Sequence, residues 1–349
     1  MEFGMFHEFP SMPGRGETEM FDEAMEQVDG AERWGLDVMW LAEIHFAPER
    51  TYLSSPLAIA SAIAARTTNL KIGIAVQVLP LCNPLRIAEE AATVDHISHG
   101  RLIFGAGRSG VAKTYEAYNV PYAESKERFN ETLDIVRRAW TETNFSHRGK
   151  YFHFDDVTVT PRPFQSPMPP IRVAATSPDT FVAIGELGMP IFLAIRHEDA
   201  RHFAPQVASY RAAWKAAGHP GNGQVFLRAP GFVAASAAEA KARYEASLLH
   251  YFHAQGRLLA DSARRLGLDP SNPRWKTSEG LATMTYDRAT QGSVMIGSPD
   301  EVIRKIEALR DDMGLDGVLL ELNCGGKVEH AHEMEALRLL CQEVQPTFH

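Results

Sequence analysis

KIGIAVQVLPLCNPLRIAEEAATVDHISHGRLIF, residues 71–104, reads as strand, helix and strand in succession. Residues 71–78 form a short run rich in β-branched side chains, 84–96 carry a helical pattern, and 101–104 are a second apolar run. Two strands joined through a helix lie parallel, because a parallel pair needs a crossover that a tight turn cannot supply. Outward from this unit the same alternation fills the chain. Further strand-like runs fall at 3–6, 38–44, 171–175, 191–194, 224–233 and 317–322, with helical patterns at 19–34, 56–66, 125–140, 179–187, 199–217, 237–253 and 299–310 and a last one at 331–344. Eight strands alternating with helices predict an α/β fold closed into a (β/α)8 TIM barrel.

Helix entries support these boundaries. Ser298-Pro299-Asp300-Glu301 combines a capping serine, a first-turn proline and acids suited to the helix dipole, and Ser177-Pro178-Asp179 opens a helix in the same way. Thr67-Thr68-Asn69 supplies turn chemistry before the third strand. Two regions interrupt the alternation. Residues 151–159 alternate at period two around Asp155-Asp156 and predict a small hairpin, while 161–170 is a proline-rich connector. Residues 254–291 mix glycine, proline and charge and read only weakly as structure. An irregular segment of that length inside a compact domain points to a functional loop or lid. A chain of 349 residues suits one large barrel with this insertion, so a single domain over 1–349 is expected, with the lid at about 254–291.

Composition narrows the function. A net charge of −9 and a pI near 5.9 argue against nucleic-acid and anionic-membrane partners, which call for a basic face. Cys82, Cys324 and Cys341 are scattered and odd in number, which suits a reducing compartment and excludes a disulfide framework or zinc ribbon. The opening residues lack a signal-peptide pattern and no apolar run reaches membrane-spanning length, so the cytoplasm is the expected location. HExxH does not occur, nor a GxSxG elbow, and the HxH at His330-Ala331-His332 opens a helix and reads as solvated, which disfavours a zinc or serine hydrolase on the barrel; no metal is expected.

Three segments carry candidate chemistry. Gly105-Ala106-Gly107-Arg108-Ser109-Gly110 fits GxGxxG, but it follows the fourth strand rather than the first, and the place of the acidic residue that should close the next strand falls in the polar stretch 122–126. Small residues there let a cofactor approach the backbone, and Arg108 can grip a phosphate in bidentate fashion; the plain alternative is glycines that shape a loop. Ala175-Thr176-Ser177-Pro178-Asp179-Thr180 ends a strand and opens a helix, offering hydroxyls and backbone N–H groups to an anion, or simply a helix cap. Trp40-Leu41-Ala42-Glu43-Ile44-His45-Phe46 ends the second strand. His45 there stands where barrel enzymes collect catalytic groups, although an isolated histidine is often structural. His96 and His99 suit a helix end, and His330 and His332 read as solvated.

Taken in order, EFGMF at 2–6, WLAEIHF at 40–46, VLPLCNP at 78–84, RIAEE at 86–90, SHGRL at 98–102, GAGRSG at 105–110 and IGSPDEV at 296–302 resemble the bacterial-luciferase-like, flavin-dependent monooxygenases over nearly the whole chain. That resemblance implies an eight-stranded barrel, commonly dimeric, using reduced FMN or a deazaflavin supplied by a separate reductase; FMN members activate molecular oxygen and oxidise a small organic substrate such as an aldehyde. Carried over by motif, Ala75-Val76 would form a bulge under the flavin, often with a cis peptide, and Gly107 would sit near its reactive edge. Arg108, Lys126, Thr176, Ser177 and Thr180 would hold the phosphate, and 254–291 would be the lid that excludes water.

The chain departs from the luciferase catalytic subunit at three positions. That subunit has two histidines at the place of Ile44-His45, the first its proposed base, an arginine at Lys126 and a cysteine at Gly107. His45 and Gln77 are the expected ligand-facing polar residues. Three outcomes remain open on sequence: an FMN-dependent monooxygenase homodimer, a deazaflavin-dependent oxidoreductase on the same barrel, and a non-catalytic partner subunit of a luciferase-like heterodimer, which the missing histidine at Ile44 would suit.

Overall fold

Strands apolar on both faces must be covered on both, and this chain achieves that by wrapping its strands into a closed cylinder inside a ring of helices. The computed structural model describes residues 1–195 and 199–349. The strands are β1 (Glu2–His7), β2 (Val38–Leu41), β3 (Lys71–Ile74), β4 (Leu102–Gly107), β5 (Ile171–Ala174), β6 (Ile191–Ala194), β7 (Val225–Val233) and β8 (Gly317–Glu321). Each pairs in parallel with the next, and β8 pairs with β1. The result is the (β/α)8 barrel.

Trp40 on β2 fills the barrel interior. A Cβ on Gly4 of β1 or Gly73 of β3 would collide with its indole, so glycine on both neighbours is what admits the ring. Phe192 of β6 meets that ring edge-on at 4.9 Å. Below it Arg172 of β5 crosses the N-terminal end, held by Glu2 through two hydrogen bonds of 2.6 and 2.9 Å, with its guanidinium 3.6 Å from the Phe226 ring centroid. The lower half of the cylinder is therefore packed shut, which leaves ligand chemistry to the C-terminal rim.

The helices that matter to that rim are α1 (Glu17–Trp34), α2 (Pro56–Arg66), α3 (Pro84–Ile97), α4 (Ser125–Thr141), α5 (Pro178–Glu186), α6 (Ala204–Ala216), α7 (Ala237–Arg265), α8 (Pro299–Met313) and α9 (His330–Leu339). The entry to α8 is a full capping box between Ser298 and Glu301. No helix among the described residues is long and apolar enough to cross a membrane.

Several sequence expectations need correction. The hairpin predicted at 151–159 is instead Phe145–Arg148 paired with His153–Val157; its first strand, FSHR, carries too little apolar alternation to announce itself. Gly105, Ala106 and Gly107 belong to β4 rather than to a loop. The 71–78 run is divided: β3 stops at Ile74, the Ala75–Val76 peptide is cis, and Gln77–Val78 pairs separately with β4. His330 is half-buried rather than solvated, with Nε2 2.9 Å from Glu26 and Nδ1 3.4 Å from Gln27.

The largest correction concerns 254–291, which is helical almost throughout. α7 runs on to Arg265, and Pro273–Ala282 and Tyr286–Gln291 are further helices. Gly256 reads as a breaker in sequence. In the fold it sits mid-helix because a Cβ there would come within 2.8 Å of the Ala282 nitrogen and the Ser278 carbonyl of the helix packed against it. Pro273–Ala282 shows no apolar stripe in sequence because the residues it buries are Ser278 and Leu281, one of them polar.

Candidate active site

The rim divides into three arcs. On the first, between β2 and β3, the chain leaving β2 carries Glu43 and His45. Glu43 Oε2 accepts from the Gln77 side-chain amide at 2.6 Å and from the Val78 N–H at 2.7 Å, and its Oε1 lies 2.8 Å from His45 Nε2. Tyr118 Oη lies 3.3 Å from the other ring nitrogen, Nδ1. A carboxylate only accepts, so it places the imidazole proton on Nε2 and leaves Nδ1 to accept from the tyrosine. Gln77 is 5% exposed, and its carbonyl oxygen is buried with no hydrogen-bond partner among the described residues. Cys82 packs beside the same amide, its thiol pushed up by burial and by Glu43. A cleft of about 780 Å³ between α2 and α3 reaches Glu43, His45, Gln77, Cys82 and Tyr118.

The second arc joins β4 and β5. A Cβ on Gly107 would strike Cγ2 of Val76 and lie 3.6 Å from Ala174 Cβ. The valine methyl thus occupies the space that a side chain at 107 would need, and the floor here is smooth backbone and small groups. Arg108 follows directly. Its carbonyl accepts from the Tyr115 hydroxyl, and its half-buried guanidinium has no carboxylate partner among the described residues. On the neighbouring strand end, Ser177 does not cap α5 with its side chain; its hydroxyl pairs with that of Thr180 at 2.8 Å, at the positive end of the helix. Thr176 is exposed beside them. Lys126, at the start of α4, reaches Asp179 of α5 at 3.8 Å and is 62% exposed, a weak surface pair.

The expected residues therefore fall into two groups. Glu43 ties His45 to Gln77, and Gly107 lies against Val76. Arg108 and Ser177–Thr180 leave adjacent strand ends without touching one another. Glu43 and Tyr118 were missed by sequence reasoning: Glu43 lies inside the 40–46 segment but only His45 was singled out there, Tyr118 lies outside every motif, and only the turn after β2 makes them neighbours of His45.

A third arc was also missed. Across the barrel lie Arg228 within β7, Glu321 at the end of β8, Glu8 just beyond β1 and, from the loop after β2, Arg50. Arg50 donates to both oxygens of Glu8, the Nε contact being 2.6 Å, and Arg228 Nη2 bridges Glu8 (3.1 Å) and Glu321. Burial works against the Glu8 carboxylate, but Arg50 and Arg228 outweigh it and hold its pKa below the ordinary value. Glu321 goes the other way: burial, aided by Glu8, raises it to about 8. One signal was legible, since Arg228 interrupts an otherwise apolar strand.

α7 roofs the rim from the third arc to the second. The Tyr244 hydroxyl donates to the Glu321 carbonyl at 2.5 Å, Tyr251 stands over Arg50 and Arg228, Ser262 accepts from the Ala112 N–H at 3.4 Å, and Arg265 pairs with Glu116 at 2.6 Å.

Comparison with known proteins agrees with this architecture. The oxygenase component of a flavin-dependent trigonelline monooxygenase from Acinetobacter baylyi is 25% identical over 337 residues, covering 95% of this chain and 91% of that protein. Monooxygenase RslO1 from Streptomyces bottropensis superposes over the full length of both chains with a TM-score of 0.83 and 25% identity. The oxygenating constituent of 3,6-diketocamphane monooxygenase from Pseudomonas putida, solved in complex with FMN, shares the fold at a TM-score of 0.80 and 22% identity, covering 99% of this chain and 98% of that one. The family model described as luciferase-like monooxygenase matches residues 1–317, and the chain belongs to that family of flavin-dependent enzymes.

Proposed function

We propose that this chain is the oxygenase of a two-component system, a homodimer that takes reduced FMN from a separate reductase and, with molecular oxygen, oxidises a small organic substrate. The observation that carries the reading is Arg108: a half-buried guanidinium with no carboxylate partner among the described residues, one residue beyond a glycine floor. A guanidinium held this way matches a phosphate in bidentate fashion, and the Ser177–Thr180 hydroxyls on the adjacent strand end add neutral donors. Lys126 adds charge without a fork. The Gly107–Val76–Ala174 floor admits a flat ring against the backbone, and the orphan Gln77 carbonyl is an acceptor for a ligand N–H or O–H.

Bound reduced FMN would supply the electrons that activate oxygen. The protein's share is to hold the ring, to keep a proton at His45 Nε2 through Glu43, and to exclude water beneath α7 and its two following helices. With Ile44 in place of a histidine, the Glu43–His45–Tyr118 chain is the proton-holding group on this side of the rim.

Titration of FMN, oxidised and anaerobically reduced, tests the reading. Arg108→Ala should weaken binding by roughly 10- to 100-fold and Arg108→Lys by less. Equal affinity in all three proteins, or tighter binding of a reduced deazaflavin than of reduced FMN, would sink it.

A further inference from the structure

The Arg228 cluster has no part in the flavin reading above. β4 and β8 are half a turn apart in an eight-stranded cylinder, so the third arc faces the flavin seat across the mouth. A substrate attacked from the flavin's open face would meet these side chains with its far end.

The cluster is incompletely satisfied. Arg228 spends Nη2 on two carboxylates, while among the described residues its Nε is buried without a partner and Nη1 makes no hydrogen bond. Glu321, 2% exposed, leaves Oε1 without a partner among the described residues as well. The Arg228 guanidinium lies 3.9 Å from the Phe6 ring centroid and 5.7 Å from that of Tyr251, so its plane is held between aromatic faces. A fixed guanidinium edge beside an unpaired carboxyl oxygen is a receptor for a planar, oxygen-bearing group.

We propose that Arg228 and Glu321 receive a carboxylate on the organic substrate, making the substrate class an organic acid rather than a neutral aldehyde or hydrocarbon. The assignment of this arc to the substrate rests on the flavin reading. Charge supports it. The groups facing Glu321 are Glu8 beyond β1, Arg50 beyond β2, Arg228 on β7, Cys324 beyond β8, and Tyr244 and Tyr251 on α7. Burial keeps Glu321 protonated at neutral pH, so two guanidiniums face one ionised carboxylate. A buried unit of positive charge is costly alone and is relieved by an incoming anion. Protonated, Glu321 hydrogen-bonds the Glu8 carboxylate, which leaves the free edge of Arg228 to the incoming anion.

Calorimetric titration of the whole protein with benzoate and decanoate, against benzamide and decanamide, tests the proposal. At least one acid should bind saturably while its amide does not. Arg228→Met should weaken that binding tenfold or more with FMN affinity unchanged. Wild-type affinity should fall between pH 7 and 9, and Glu321→Gln should abolish the fall. If Arg228→Met does not fold, Arg228→Lys keeps the charge without the fork and should still bind the acid more weakly. No saturable acid binding, amides bound as tightly as acids, or unchanged affinity in the folded Arg228 variant overturns the proposal. FMN titration of the same samples reports separately on the flavin reading.

Discussion

The Gln77 amide donates to Glu43 at 2.6 Å, and the carboxylate oxygen that accepts it also takes the Val78 N–H at 2.7 Å. One side chain from beyond β2 thus holds both the backbone and the side chain of the segment that follows β3, and positions His45 with its other oxygen. Removing it strands a backbone N–H and a buried amide. Glu43→Ala should lower stability by about 2–3 kcal/mol, with Glu43→Gln costing less. Urea midpoints at constant slope measure this; a loss below about 0.5 kcal/mol would show that the three contacts are incidental.

The Gly107–Val76 relationship is steric. Gly107→Ala drives a methyl into the valine side chain, a clash of the kind that costs about 1–3 kcal/mol. FMN affinity should fall about tenfold, and Val76→Ala in the same chain should restore most of it. Purely additive effects in that double-mutant cycle would separate residue 107 from residue 76.

Gly256 offers a way to loosen the roof without touching the barrel. A Cβ there meets backbone atoms of Ser278 and Ala282, which cannot swing aside as a side chain would. Gly256→Val should detach Pro273–Ala282 from α7. Limited proteolysis should then cut within 266–292 at least tenfold faster, while the main unfolding transition moves little. Equal cleavage rates in the two proteins would contradict the packing described.

Glu321 makes stability pH-dependent in a defined direction. In the unfolded chain its proton leaves near the ordinary glutamate value of 4.5, and in the native state at about 8. Between those values the native state binds more protons, so this group's contribution to stability is eroded as pH rises from about 5 to 8, on the order of 3 kcal/mol in total. Glu333, also raised to about 8 by burial, adds to the same slope. The difference between wild type and Glu321→Gln isolates the first: the variant should gain relative stability steadily from pH 5 to 8. A constant difference would mean Glu321 is ionised throughout.

The sequence by itself determined the barrel. Its strands are apolar on both faces and several helices open on a cap, at Asn83, Ser236 and Ser298, and both patterns are local, fixed by pleat, helical period and capping chemistry. It also marked the ends of β2, β4 and β5 as the place for chemistry, through His45, Arg108 and Ser177. The tertiary structure alone decided which of these residues meet. Glu43 reaches Gln77 only because β2 and β3 are neighbours, Gly107 matters only because Val76 lies opposite it, and Gly256 is tolerated only because another helix presses on it. The Arg228–Glu8–Glu321–Arg50 cluster was the least legible part. Its members are 42 to 313 positions apart, and closing the cylinder between β8 and β1 is what brings four scattered charges into one buried group.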